Sequence, residues 1–176
     1  MITLGVDPGT ATTGFGVIQE ENDGHLTVID FGVIQTASTN SQAQRLVQLY
    51  KRITEIILLH HPETGAVEKL FFERNVRTAL SVGQARGVVL LAMAESNLSI
   101  GEYTPLEVKQ AVAGYGGADK HQIQQMVKAI LELETIPHPD DAADALAIAI
   151  CHIHSMKISN LLHQNEDSIL EGNGGE

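Results

Sequence analysis

The stretch LGVDPGTATTGFGVIQ, residues 4–19, decides the fold: an apolar strand breaks at a Pro-Gly turn and resumes as a second apolar strand. The first run covers residues 2–6 and the second residues 14–20. A third run, residues 26–35, follows Asn22-Asp23-Gly24, which is a strong hairpin signal. Two successive hairpins predict an antiparallel, three-stranded start to the chain.

The hydrophobic period changes after these strands. Apolar residues recur at helical spacing over residues 41–60, and Pro62 ends that helix. Strands are predicted at residues 66–72 and 99–103, with a helix at residues 78–97 between them. Further helices are predicted from residue 105, over residues 119–134, and from residue 139 to about Ile158. This order predicts an α/β fold, a mixed sheet covered by helices.

Length and composition favour a single globular domain. The chain has 176 residues, of which 43% are hydrophobic and 19% charged. Its one cysteine, Cys151, excludes an internal disulfide. No apolar run reaches the roughly 18 residues of a membrane span, and the start lacks the pattern of a signal peptide. We expect a soluble, cytoplasmic protein with a domain at residues 1–158 and a polar, acidic, disordered tail at residues 159–176.

The net charge of −11 argues at first sight against a nucleic-acid partner. Four carboxylates lie in residues 163–176, a segment without Lys or Arg, and without them the charge is −7. If four more acids hold two divalent cations, −7 becomes −3. The distribution of charge therefore decides this question, and the net charge does not.

Carboxylates occur at three places where a buried structure has little use for them. Asp7 ends an apolar strand, where it either caps the Pro-Gly turn or has a function. Glu68 lies inside an apolar strand, and its burial is costly unless it pairs with a base or binds a metal. Asp141 and Asp144 share one face of an Ala-rich helix, after Asp140, which suits the helix dipole.

If these acids converge, their charges repel one another and raise their pKa values. A bound hard cation removes the conflict, and oxygen-rich sites suit Mg²⁺ or Mn²⁺. The chemistry that such a site favours is phosphodiester hydrolysis with two metal ions.

Several blocks of the sequence resemble, in the same order, the RuvC family of bacterial Holliday-junction resolvases. The blocks are LGVDPGT (4–10), TGFGVI (13–18), VEKLF (67–71), GQARGV (83–88), VKQ (108–110), GYG (114–116) and DAADALAIA (141–149). The resemblance implies an RNase H-like fold, a five-stranded mixed sheet flanked by helices. It also implies a homodimer that cuts two opposed strands of a four-way DNA junction and works with the RuvA–RuvB branch-migration complex.

The resemblance assigns roles to individual residues. Asp7, Glu68, Asp141 and Asp144 match the metal-binding catalytic acids of the family, which implies two Mg²⁺ ions per active site, with Mn²⁺ as a substitute. Lys109 and Lys120 match the basic residues near the scissile phosphate, and Phe71 matches an aromatic residue that contacts bases at the junction centre.

The residues around Phe71 are further candidates for DNA binding. Phe72 is adjacent to it, Asn75 belongs to the matching region, and Arg74 and Arg77 are inferred from their charge and place. Arg86 contacts DNA or forms a structural ion pair. Gly83 and Gly87, four residues apart, either let two helices approach closely or pack against the sheet.

Other functions remain open at this stage. An actin-like or sugar-kinase fold shares the strand–Asp–x–Gly–Thr turn of residues 7–10, but it needs a second domain. An RNase H-like nuclease could act on RNA or RNA–DNA hybrids. A junction-binding protein without activity is expected to lack one or more of the acids. Zinc is not supported, since His152 beside Cys151 is best explained by helix packing.

Overall fold

The computed structural model describes residues 1–69 and 76–172, with the backbone alone at residues 76–78 and 163–172. The strands are β1 (Ile2–Asp7), β2 (Thr12–Glu20), β3 (Leu26–Gln35), β4 (Thr64–Glu68) and β5 (Ser99–Tyr103). The helices are α1 (Gln42–His60), α2 (Val76–Glu95), α3 (Pro105–Ala113), α4 (Lys120–Ile130) and α5 (Asp140–Gly172). The predicted five-stranded mixed sheet flanked by helices is confirmed.

The sheet has the strand order β3-β2-β1-β4-β5, so β1 lies at its centre. β1 pairs antiparallel with β2 and parallel with β4, and β5 continues the parallel half. Val6 of β1 stands beside Val67 of β4. The two parallel strands therefore end side by side at one edge of the sheet.

Side-chain alternation divides the molecule into two cores. Leu4 and Val6 belong to the core that α1 and α2 cover. The intervening Gly5 faces α5, where a Cβ atom would collide with the backbone of Ala145 and the side chain of Ala149. A glycine on the strand and alanines on the helix thus let α5 lie directly on the sheet.

α5 is apolar because it is a core helix. Its stretch Asp140–Leu162 is long and apolar enough to cross a membrane by length and composition alone. Every residue from 142 to 153 except Asp144 is buried, between the sheet and the pair α3 and α4. Packing inside the domain therefore accounts for the composition of this helix.

Three boundaries differ from the sequence prediction. β4 ends at Glu68, and the stretch up to Phe72 lies mostly outside the described residues. α4 ends at Ile130 because Glu132 adopts a left-handed conformation, with φ of 50°. α5 continues to Gly172, past the expected end near Ile158, while the disordered tail at residues 159–176 stays a prediction.

Candidate active site

Asp7 and Glu68 are brought together by strand register and alternation. Each follows the paired residues Val6 and Val67 by one position. Val6 and Val67 both face the core of α1 and α2, so the next residue on each strand faces α5. Two carboxylates therefore stand side by side where the central parallel strands end.

Asp144 reaches the same edge from α5. The first turn of this helix lies against β2 at Gly14, where a Cβ atom would collide with the backbone carbonyl of Asp141. Ala142 and Ala145 are fully buried on this face, so the helix cannot be lifted from the sheet without opening the core. The close approach holds the acidic end of α5 beside the ends of β1 and β4.

These side chains line one cavity of about 220 Å³, the carboxylate cavity. Its polar lining consists of Asp7, Glu68, Asp144, Lys109 and Lys120. Its apolar wall consists of Pro105, Val108, Ile123, Ala147 and Ile148, none of which was predicted to be a site residue. Five of the six residues predicted to act in catalysis therefore share one cavity.

The acids of the cavity disturb one another's ionisation. Burial, followed by the charges of Glu68 and Asp144, raises the pKa of Asp7 from 3.8 to about 7. Burial and the charge of Asp144 also raise the pKa of Glu68. Such mutual repulsion is costly, and it is relieved when a cation joins the acids.

Lys120 supplies one positive charge at the rim of the cavity. Its Nζ lies 3.1 Å from Oδ2 of Asp140 and 3.2 Å from Oδ2 of Asp144. Partial burial lowers the pKa of Lys120, but the hydrogen bonds to these two carboxylates outweigh it and the pKa is raised. Burial raises the pKa of Asp144, although the hydrogen bond from Lys120 opposes that shift.

Asp140 therefore helps to hold Lys120 at the site, in addition to its expected interaction with the helix dipole. Its Oδ1 accepts a hydrogen bond of 2.9 Å from Nε2 of Gln124, while its Oδ2 faces Lys120. The Asp140–Asp141 doublet in the sequence was the available signal. The partners on α4 could not be predicted, because they depend on how α4 packs against α5.

Asp141 lies apart from the other three acids. It lines a neighbouring open groove with the β1–β2 turn, although its charge still acts on Asp7 and Asp144. Among the described residues, no group of three or more Asp, Glu, His or Cys side chains is close enough to hold a metal as it stands. The donors fit a hard divalent cation by their chemistry, since all are carboxylate oxygens that repel one another.

The structural interpretations of Asp7 and Glu68 find no support. The turn after β1 is closed by Thr13, whose Oγ1 donates to the Gly9 carbonyl at 2.6 Å, and within the described ranges Asp7 forms no hydrogen bond with this turn. β4 is an interior strand, and within the described chain no cation lies within 4 Å of the Glu68 carboxylate. Both acids are therefore available to a ligand.

Arg86 and His152 have structural partners. Nε of Arg86 donates to the carbonyl of Glu68 at 3.0 Å, and its guanidinium pairs with Glu102, which confirms the ion-pair alternative. His152 is buried and bonds through its two ring nitrogens to Thr64 and Tyr103, at 2.6 and 2.8 Å. The packing interpretation of this histidine is thus confirmed.

The predicted DNA contacts beyond β4 cannot be placed. Phe71, Phe72, Arg74 and Asn75 lie outside the described residues. Arg77 lies in α2, where the structure describes its backbone and not its side chain. These contacts stay predictions.

Comparisons with known proteins identify relatives of this chain. A family model described as "Crossover junction endodeoxyribonuclease RuvC" matches residues 3–152. A protein of that name from Chloroflexus aurantiacus is 59% identical over 155 residues, which span 88% of this chain and 94% of that protein. The Thermus thermophilus RuvC structure matches with a TM-score of 0.84 at 36% identity, over 90% of this chain and 97% of that one.

A second structure, "T. thermophilus RuvC in complex with Holliday junction substrate", matches with a TM-score of 0.82 at 34% identity. It covers 90% of this chain and 96% of that one. Both structures cover 90% of this chain, and they confirm the expected fold.

Proposed function

The chain belongs to the RuvC family of crossover junction endodeoxyribonucleases, and we propose that it resolves four-way DNA junctions at the carboxylate cavity. It is an endonuclease that hydrolyses phosphodiester bonds in two opposed strands of the junction. The observation that carries the proposal is the convergence of Asp7, Glu68, Asp144, Lys109 and Lys120 on one cavity at the end of the central strands.

The acids would hold the divalent metal. We assign this role to Asp7, Glu68 and Asp144 in the cavity and to Asp141 at its border, with two Mg²⁺ ions per site that Mn²⁺ can replace. When bound, such ions activate water and stabilise the leaving oxygen in phosphodiester hydrolysis. Asp7 ends the central strand beside Glu68 and is affected by the charges of Glu68, Asp144 and Asp141 alike, so it would be the central metal ligand of the set.

The lysines would act on the phosphate. Lys109 and Lys120 line the cavity opposite the strand ends, on α3 and α4. Their ammonium groups can neutralise the charge that develops on the phosphoryl oxygens during in-line attack. Capped helices hold both in place: Thr104 and Glu107 form a capping box on α3, and Asp119 and Gln122 form one on α4.

Selection of a junction over linear DNA would come from a homodimer. One cavity can bind only one scissile phosphate, whereas two cavities at a fixed distance require two opposed strands placed at that distance. One face of α2 presents Leu80, Gln84, Gly87 and Leu91 to solvent, at the spacing of a single helical stripe. A Cβ atom on Gly87 would meet nothing within 4 Å, so this glycine does not pack against the sheet.

The remaining contacts follow from the family. We propose that Phe71, with Phe72, contacts bases at the opened centre of the junction, and that Arg74, Asn75 and Arg77 contact the DNA nearby. We further propose that the enzyme is cytoplasmic and cooperates with the RuvA–RuvB branch-migration complex.

A cleavage assay tests the proposal. The protein is incubated with a mobile four-way junction, a linear duplex of the same sequence and an RNA–DNA hybrid, each with Mg²⁺ or with chelator. We expect paired nicks in the junction alone, dependent on metal and abolished by Asp7→Asn, whereas Glu21→Gln, an exposed acid remote from the cavity, cleaves normally. Cleavage of the duplex or the hybrid would contradict the proposal that the substrate is a four-way junction. Binding of the junction without cleavage would contradict the proposal that the protein is a nuclease.

A further inference from the structure

An open groove of about 380 Å³ adjoins the carboxylate cavity, and Asp141 is the one residue of its lining that has so far been given a role. We call it the Arg45 groove. It is lined by the β1–β2 turn at residues 9–12, by Arg45 of α1, by Ser81 and Val82 of α2, and by Asp141 of α5. The backbone of Asp141 lies directly over Gly14, the residue of β2 that pairs with Asp7, so the groove lies directly beside the proposed site of hydrolysis.

Arg45 is held at the wall of this groove. Its Nε donates to Oγ1 of Thr36 at 2.8 Å, and the Thr36 hydroxyl donates to the carbonyl of Thr10 at 2.6 Å. The side chain is half-buried, and within the described chain no carboxylate lies within 4 Å of it. Its two terminal nitrogens accordingly have N–H donors that no described residue engages.

The hydroxyl groups of the groove differ in whether they already form hydrogen bonds within the protein. The hydroxyl of Thr10 donates to the carbonyl of Ser81 at 2.8 Å and contacts the Ser81 hydroxyl at 2.5 Å, so this pair is satisfied internally. Thr12 also lines the groove and is half-buried, and its hydroxyl forms no hydrogen bond among the residues that the structure describes. A guanidinium fork beside a hydroxyl donor suits the oxygens of a phosphodiester.

Nine Lys and Arg side chains are described, and five of them pair with no described carboxylate: Arg45, Lys51, Lys69, Lys109 and Lys128. Four of the described cations are committed to carboxylates: Arg52, Arg86, Lys120 and Lys157. Arg45 and Lys109 line the two neighbouring depressions without such a partner in the described ranges. Although the chain has a net charge of −11, a polyanion can bind next to the acids at Arg45 and Lys109.

We propose that the Arg45 groove binds the DNA phosphate next to the scissile one, so that the cleaved strand runs from the carboxylate cavity across Asp141 to Arg45. The proposal rests on the proposed function, because Asp141 repels a free anion and only a strand already held at the cavity gains from the contact. Arg45 then aligns the strand and does not touch the reacting atoms.

The test measures the salt dependence of junction binding in the Asp7→Asn background, without divalent metal, by fluorescence anisotropy. Loss of one phosphate contact lowers the slope of log K against log[salt] by about 0.9. We expect Arg45→Gln to lower it by about this amount per protomer and Arg45→Lys to retain most of it. Arg52→Gln is the matched control, since Arg52 lies on the same helix and pairs with Glu55 at 2.6 Å.

A second variant is independent of the bond to Thr36. Ala11 is exposed in the groove, so Ala11→Asp adds a negative charge without removing any internal contact of the side chain. We expect it to weaken junction binding, with thermal stability unchanged.

Three results would overturn the inference: equal slopes for Arg45→Gln and Arg52→Gln, a loss of affinity at constant slope, or full affinity in Ala11→Asp. Each would leave Arg45 as a structural link between α1 and the β1–β2 turn, with the proposed function intact. If the parent protein does not prefer the junction to a duplex, the proposed function and this inference fail together.

Discussion

Asp7 is a single residue whose protonation depends on its neighbours. Burial and the charges of Glu68 and Asp144 raise its pKa from 3.8 to about 7. The unfolded chain releases this proton near pH 4, at the ordinary pKa of Asp. Between about pH 4 and 7 the folded state therefore holds a proton that the unfolded state has lost, so the stability of the metal-free protein falls as the pH rises.

Asp7→Asn should remove the loss of stability that ionisation of Asp7 causes. In urea unfolding with chelator, we expect the variant to be more stable than the parent at pH 8, on the order of 2 kcal/mol after allowance for solvent screening. The difference should shrink to near zero at about pH 4, where the acid is neutral in both states. Glu21→Gln, at an exposed position, serves as the control. A difference that does not change with pH would contradict this explanation.

The two lysines of the cavity differ in their ion-pair partners, so their substitution should have different effects on cleavage rate and stability. Lys120 pairs with Asp140 and Asp144, whereas within the described ranges Lys109 pairs with no carboxylate. We expect Lys109→Met to lower the cleavage rate by about 10²-fold, as expected for loss of a charge that stabilises the transition state, with unfolding unchanged.

Lys120→Met should reduce both rate and stability, because it leaves two carboxylates without their cation. Single-turnover cleavage and urea unfolding of the same preparations separate the two effects. Lys128→Met, on α4 but away from the cavity lining, is the control. Unchanged cleavage in Lys109→Met would remove this residue from the mechanism.

Among the elements, α5 and the sheet depend on close contact at glycine. At Gly14, a Cβ atom would collide with the backbone of Asp141, which cannot move aside as a flexible side chain could. We expect Gly14→Ala to destabilise the fold by about 1–3 kcal/mol and to slow cleavage, because the acidic end of α5 is displaced.

Gly117→Ala is the matched control for this change, since its Cβ atom would make ordinary contact at 3.5 Å with the ring of Tyr115. Thermal unfolding and junction cleavage are measured on both variants. Full activity in Gly14→Ala would show that the placement of the acids tolerates a shift of α5.

The same elements show what the sequence could predict. β3, β5 and the start of α3 follow from local signals, the hairpin turn and the Thr-Pro-Leu-Glu cap, and the structure places them as expected. Alternation around Val6 and Val67 is also local, so the acids of β1 and β4 could be recognised. The pairing of Lys120 with Asp140 and the position of Asp141 in a separate groove depend on helix packing, which spacing along the chain does not encode.

At the scale of the whole molecule, a strongly acidic chain has to bind a polyanion. Four of its nine described Lys and Arg side chains are in ion pairs, and of the other five only Arg45 and Lys109 line the two depressions beside the acids. A single protomer therefore offers a short basic track, which is too little to select one DNA shape. We propose that the selection arises from two such tracks held at a fixed distance, which would make the oligomeric state part of the mechanism.

The face of α2 that carries Leu80, Gln84, Gly87 and Leu91 is the proposed contact between protomers. Leu91 is 52% exposed, so Leu91→Glu should leave the monomer folded while placing a charge in the apolar contact. We expect sedimentation equilibrium to show half the parent mass, and a cruciform plasmid to be nicked in one strand where the parent linearises it. Leu59→Glu, at a position 70% exposed on α1, should remain dimeric and linearise the plasmid. A Leu91→Glu protein that stays dimeric would exclude this face, whereas a monomer that still makes paired cuts would break the link between dimer and junction selection.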